Sequence, residues 1–131
     1  MRQQADLRHA SRQGLEAGLL VLSGEAIRAY FPEPDEPHPA LWTNRVIQQL
    51  RSGIRAEEAV AIGLACQLLA ADAMLPFGKL IKSNLARALK QKAALLTPAQ
   101  RAMLISVTQR LAVLPYAPRE LEDYRKLVGK L

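Results

Sequence analysis

Proline and glycine cut this chain into short blocks, and within the blocks apolar residues recur at three- and four-residue spacing. No segment sustains the two-residue alternation with β-branched side chains that marks a half-buried strand. Ala and Leu are abundant, whereas aromatic residues make up only 5% of the chain. Straight-chain residues and Ala lose little rotamer freedom in a helix, so the expected fold is all-α.

The blocks read in order as follows. Residues 3–31 have helical spacing, weakened at Gly14, Gly18 and Gly24. "PEPDEPHP", Pro32 to Pro39, has too many prolines to continue a helix and reads as an acidic, extended linker or loop. Helix resumes at Ala40 and runs to about Ser52, with Leu41, Val46, Ile47 and Leu50 apolar and Gly53 at its end. The next helix spans about 55–75, with Glu57 and Glu58 placed in its first turn and a middle that is apolar almost all round. A helix without a polar face belongs at the centre of a fold. Pro76 stops it.

A basic helix follows over about 78–95. At 100° per residue, Ile81, Leu85, Ala88, Leu89 and Leu96 share one face, and Lys79, Lys82, Ser83, Arg87 and Lys90 the opposite one. Thr97-Pro98 is an N-cap followed by a first-turn proline, opening a helix to about 114 whose buried face holds Met103, Leu104, Val107, Leu111 and Leu114. After "PYAP" a last helix covers about 118–129, with Leu121, Tyr124 and Leu127 inward and first-turn acids preceding Arg125, Lys126 and Lys130.

"AMLPF" at 73–77 and "AVLPY" at 112–116 match in type at an offset of 39 residues. The same offset pairs Leu64 with Met103, Ala65 with Leu104, Cys66 with Ile105 and Leu68 with Val107. In period and corner this resembles HEAT-type helical hairpins, whose repeat is roughly 40–47 residues; the side-chain signature of that family is not present. The expected architecture is therefore about six helices as consecutive antiparallel hairpins, either a HEAT-like short stack or a compact bundle. At 131 residues the chain fits a single all-α domain, with 32–39 as a loop inside it.

Charge is distributed unevenly. Residues 1–72 carry seven Lys and Arg against nine Asp and Glu. Residues 73–119 carry eight cations (Lys79, Lys82, Arg87, Lys90, Lys92, Arg101, Arg110, Arg119) and no acid. The net charge of +6 thus belongs to one segment, an asymmetry that speaks to partners rather than to fold.

Little else in the sequence carries chemistry. Nucleophilic catalysis needs a base in hydrogen-bond reach, and the only histidines are His9, in a polar N-terminal stretch, and His38, in the proline-rich loop. Cys66 lies in the most apolar helix, where a thiol behaves as a small hydrophobe. Neither histidine has a second ligand at i+3 or i+4, so no metal or cofactor is expected. A single cysteine forms no intramolecular disulfide, consistent with a reducing, cytoplasmic setting. Arg2, Arg8 and Arg12 before "LEAGLLVL" superficially resemble a signal peptide, but Glu16 interrupts the apolar run and no small-residue cleavage site follows. The apolar run 59–71 is too short for a bilayer, so no membrane partner is expected.

The functional expectation rests on the basic helix. Lys79, Lys82, Arg87 and Lys90 form an anion-binding face that Arg101 and Arg119 could extend. The favoured partner is an acidic protein surface, and the chain reads as a non-catalytic binding or adaptor module. The alternative is a regulator contacting nucleic-acid phosphates with the same face, although no helix-turn-helix signature or interleaved aromatic accompanies it. Trp42 is either a core anchor or an interface anchor. Leu15, Leu19, Leu20, Val21, Leu22 and Ile27 sit on more than one side of the first helix, which leaves open whether the chain or a second copy, in a homodimer, covers them.

Overall fold

In the computed structural model, the Ser11 hydroxyl accepts the Gly14 N–H at 3.0 Å and caps α1 (Arg12–Ser23). The structure describes residues 11–34, 36–71, 78–115 and 121–131, and of residues 79–81 the backbone alone. Among them lie six α-helices, two short 3-10 segments and no strand, so the fold is all-helical. Gly24, at φ 79°, ends α1 in a conformation that favours glycine, and its N–H reaches the Leu20 carbonyl. A 3-10 helix (Glu25–Tyr30) carries Ile27 and Tyr30 into the core.

The proline-rich segment folds back onto its neighbour. Pro32 is buried, Phe31 packs 4.9 Å from the Trp42 ring, and His38 is the N-cap of α2 (Pro39–Arg55). The His38 Nδ1 accepts the Leu41 N–H at 3.4 Å, and Pro39 fills the first helical position, where no N–H is needed. Within 32–39, Pro32 is buried and His38 caps the next helix, whereas Glu33, Pro34 and Pro37 are exposed. Asp35 lies outside the described residues.

Residues 56–58 turn the chain from α2 into α3 (Ala59–Ala71). Glu57 takes the left-handed conformation (φ 64°) in this corner. The approach is so close that a Cβ on Gly53 would lie 2.6 Å from the Ala61 Cβ. Glu57 and Glu58 precede the helix rather than occupying its first turn, and both make tertiary contacts. Glu58 accepts the Tyr30 hydroxyl at 2.7 Å, and Glu57 pairs with Lys92 at 2.8 Å. Burial and then the Glu58 carboxylate push the Tyr30 phenol up to about 12.

α3 is the hub, packing against α1, α2, α4 (Gly78–Gln91) and α5 (Pro98–Ala112). Its Ala61, Ile62, Leu64, Ala65, Cys66, Leu68 and Leu69 are buried. α6 (Leu121–Val128) bridges α4 and α5, placing Leu121, Tyr124 and Leu127 in the core. Successive helices pair as α2 with α3 and α5 with α6, in keeping with helical hairpins, and the hub arrangement makes the compact bundle the better of the two expected architectures. Offset-related positions are also inequivalent, since Cys66 is buried and Ile105 is 37% exposed. The corner 73–77 and Tyr116 lie outside the described residues.

Local signals otherwise operate as expected. Thr97 and Gln100 form a reciprocal capping box at the start of α5, at 3.1 and 2.9 Å. Leu104, Val107 and Leu111 are buried, whereas Met103 is half-buried and Leu114 exposed. Trp42 is 1% exposed, with the Arg12 guanidinium 5.8 Å from its ring centroid; it is a core anchor and is not available as an interface anchor. The chain itself covers most of the apolar surface of α1 and the 3-10 helix after it: Leu15, Leu19 and Ile27 are buried, Leu20 and Leu22 pack against the core, and Val21 is exposed.

Candidate functional site

α4 is packed on two sides, by α2 and α3 on one and by α6 on another. That changes which residues it hides. Lys82, Ser83, Leu85, Ala86 and Leu89 are all buried, so the hidden arc is turned by roughly 80° from the apolar stripe read off the sequence, at 100° per residue. Lys82, 7% exposed, falls within it and is removed from the expected anion-binding face. A lysine tolerates this because its four-carbon stem is apolar and can line a packed surface. The Lys79 side chain lies outside the described residues, as does Arg119.

The remaining cations of the basic segment divide into committed and available groups. Arg101 is structural: its guanidinium donates to the backbone oxygens of Leu96 (3.1 Å), Leu131 (2.7 Å) and Ala93 (3.4 Å). Arg110 donates to the Ala70 carbonyl at 3.0 Å. Lys92 is held by Glu57. Arg101 therefore does not extend an anion-binding face. Arg87 and Lys90 stay on the accessible flank, Arg87 largely exposed and Lys90 half-buried.

That flank faces α6. Arg87 donates through Nε and Nη2 to the two carboxylate oxygens of Asp123, at 3.1 and 3.5 Å. Burial would raise the Asp123 carboxyl, but hydrogen bonds from Arg87 and Ser83, with the Arg87 and Lys126 charges, outweigh it and hold it below the ordinary value of 3.8. Asp123 thus sits beside the middle of α4, while the Arg101 fork brings Leu131 beside Ala93 at the far end. α6 therefore runs alongside α4 in the same direction. Lys126 follows Asp123 by three residues in α6, its charge acts on the Asp123 carboxyl, and it is exposed; Lys130, also exposed, lies beyond the end of α6.

The result is a seam between two helices that each carry cations: Arg87 and Lys90 on α4, Lys126 on α6, and Asp123 paired with Arg87. Sequence reasoning missed Lys126, because acids before bases in α6 already had an explanation in the helix dipole. The signal that could have found it is its spacing of three residues from Asp123.

Activatable groups elsewhere have structural roles. His38 caps α2, and burial pushes the Cys66 thiol up to about 11, away from thiolate chemistry. His9 lies outside the described residues. Among the described residues no three His, Cys, Asp or Glu side chains come together as a metal site. Two open grooves, one of about 250 Å³ lined by Pro32, Glu33, Arg45, Gln48, Gln49 and Ser52, the other of about 210 Å³ between α3 and α5, hold neither a histidine nor a pair of carboxylates. No helix among the described residues is long and apolar enough to cross a membrane. No protein-family model, curated protein or solved structure matches the chain.

Proposed function

We propose that this chain is a non-catalytic helical binding module, of the adaptor kind, that engages an acidic protein partner through the α4–α6 seam. The observation that supports this reading is that both helices of the seam carry cations, Lys90 on α4 and Lys126 on α6, beside the Arg87–Asp123 pair. Cations gathered along one seam create a local positive potential that attracts anions and speeds their encounter. The structural employment of His38, Cys66 and Tyr30 supports a binding role over a catalytic one.

An acidic protein fits the seam better than a nucleic acid. Tyr124, the aromatic of α6, is buried, so none of its surface is offered for base stacking.

A fluorescein-labelled helical peptide of four Glu-Ala-Ala-Ala repeats is a suitable probe, titrated at low salt and read by anisotropy. The double variant Lys90→Glu/Lys126→Glu leaves the Arg87–Asp123 pair intact and is expected to weaken peptide binding at least about tenfold, with the helical circular dichroism unchanged. Unlabelled DNA is expected to compete poorly. Unchanged peptide affinity in the double variant would overturn the reading, and efficient competition by DNA would transfer it to phosphate binding.

A further inference from the structure

α2 turns a second polar face to solvent, on a different helix from the seam. Its 17 residues hold three arginines and no lysine, aspartate or glutamate. At 100° per residue, Asn44, Gln48, Arg51 and Arg55 fall within an arc of roughly 60°, clear of the buried Trp42, Val46 and Leu50. Asn44, Gln48 and Arg55 are exposed, and Arg51 is half-buried. Protein surfaces usually mix both signs of charge. This line is built instead from planar amides and guanidinium groups, which suit paired hydrogen bonds.

Among the described residues, neither Arg51 nor Arg55 has a carboxylate within ion-pair distance, and the buried Arg51 Nε has no hydrogen-bond partner. The acids that follow them in sequence are committed elsewhere, Glu57 to Lys92 and Glu58 to the Tyr30 hydroxyl. Glu33 and Glu36 stand on the Arg45 side of the helix: Glu36 lies 3.8 Å from Arg45, and Glu33 lines a groove with Arg45, Gln48, Gln49 and Ser52. The helix dipole accounts for Arg55 in the last turn, but not for Arg51 or the amides before it.

The composition of the face discriminates among anionic partners. Leu41 is the one large apolar residue exposed on α2, so a protein partner finds little apolar surface to bury there. Trp42, the only aromatic of the helix, is buried, so unpaired bases find no ring to stack on. A duplex needs neither, because the surfaces that bind it are polar and strongly positive. The major groove of B-form DNA admits an α-helix, whereas that of A-form RNA is too narrow for side chains to read. We propose that the outward face of α2 docks double-stranded DNA, with Arg51 and Arg55 on phosphates and Asn44 and Gln48 hydrogen bonding beside them. This face and the α4–α6 seam are then separate sites for two partners.

The test titrates the full chain against a labelled DNA duplex of about 20 base pairs and mixed sequence, over a range of salt. Arg51→Gln/Arg55→Gln is expected to weaken the complex at least about tenfold at low salt and to reduce the log–log salt slope by about 1.8, two phosphate contacts. Asn44→Ala/Gln48→Ala should weaken it at least about threefold with the slope unchanged, because neutral groups release no counterions. Lys90→Gln/Lys126→Gln removes the same charge from the seam and is expected to change duplex affinity less than about twofold. Helical circular dichroism should be unchanged in every variant, since the substituted side chains are exposed or half-buried. A double-stranded RNA of the same sequence is expected to bind at least about fivefold more weakly than the DNA. Equal losses in the two charge variants would assign the binding to net charge and overturn the role of α2. A wild-type chain that ignores the duplex at low salt, an amide variant that binds as tightly as wild type, or RNA bound as tightly as DNA would also overturn the proposal.

Discussion

α3 and α4 pack against each other and are alike in length, but they disagree in how well their sequences foretell their burial. α3 has apolar residues almost all round and sits at the hub, as such a helix must, with Val60, Gln67 and Ala71 left at the surface. α4 has a clean two-faced pattern, yet the face it hides includes Lys82 and Ser83. The difference lies in the number of neighbours. Amphipathicity marks the buried side of a helix that packs in one direction; α4 is covered from two, and α6 claims the flank on which Ser83 and Asp123 meet. A charge pattern read from a single helix therefore overstates the positive surface wherever a second helix docks on it.

The comparison can be broken most forcefully within α3. Leu69 is fully buried, and Leu69→Ala is expected to cost about 3 kcal/mol in urea unfolding, while Val60→Ala, at a half-exposed position of the same helix, should stay within about 0.5 kcal/mol. Similar losses at both sites would mean that α3 is not the hub. The corresponding contrast in α4 is smaller and tests the rotated arc directly. Lys82→Ala should destabilise by about 1–2 kcal/mol through lost stem packing, and Lys90→Ala by less than about 0.5 kcal/mol. If the two lysines behave alike, the arc assigned here is wrong. The smallest effect concerns the α4–α6 contact. Because the Asp123 carboxyl is held below 3.8 in the folded chain, its contribution is complete above that pH and is lost as pH falls below it. Since Arg87 is largely exposed, acid melts of wild type and Asp123→Asn should differ by less than about 1 kcal/mol, converging below that window.

Much of the fold was legible in advance because its signals are local. Thr97 caps α5, Pro98 fills its first turn, and the apolar spacing of α2 buries Val46, Ile47 and Leu50 as expected, whereas Pro39, read as loop, opens α2, and Gly24, read as a weak point within 3–31, ends α1. Less of the candidate site was legible. Arg87 and Lys90 follow from helical spacing alone, whereas the burial of Lys82, the backbone bonds of Arg101 and the place of Lys126 beside Asp123 depend on how the helices pack. Trp42 shows the same limit in the other direction: its apolar neighbours suited either role, and contact with Phe31 and Arg12 decides for the core.

The acid-free run from Ala73 to Arg119 is a property of the sequence, and so is the helical character of the blocks it contains. Its neutralisation is not. Glu57 reaches Lys92 across 35 residues and Asp123 reaches Arg87 across 36, so the counter-charges come from outside the run and arrive only when the helices pack. Hydrogen-bonded caps and turns form between residues a few positions apart, which is why a linear pattern records them. Ion pairs across helices depend on which flanks meet, and that choice is made by burying apolar area over the whole bundle at once.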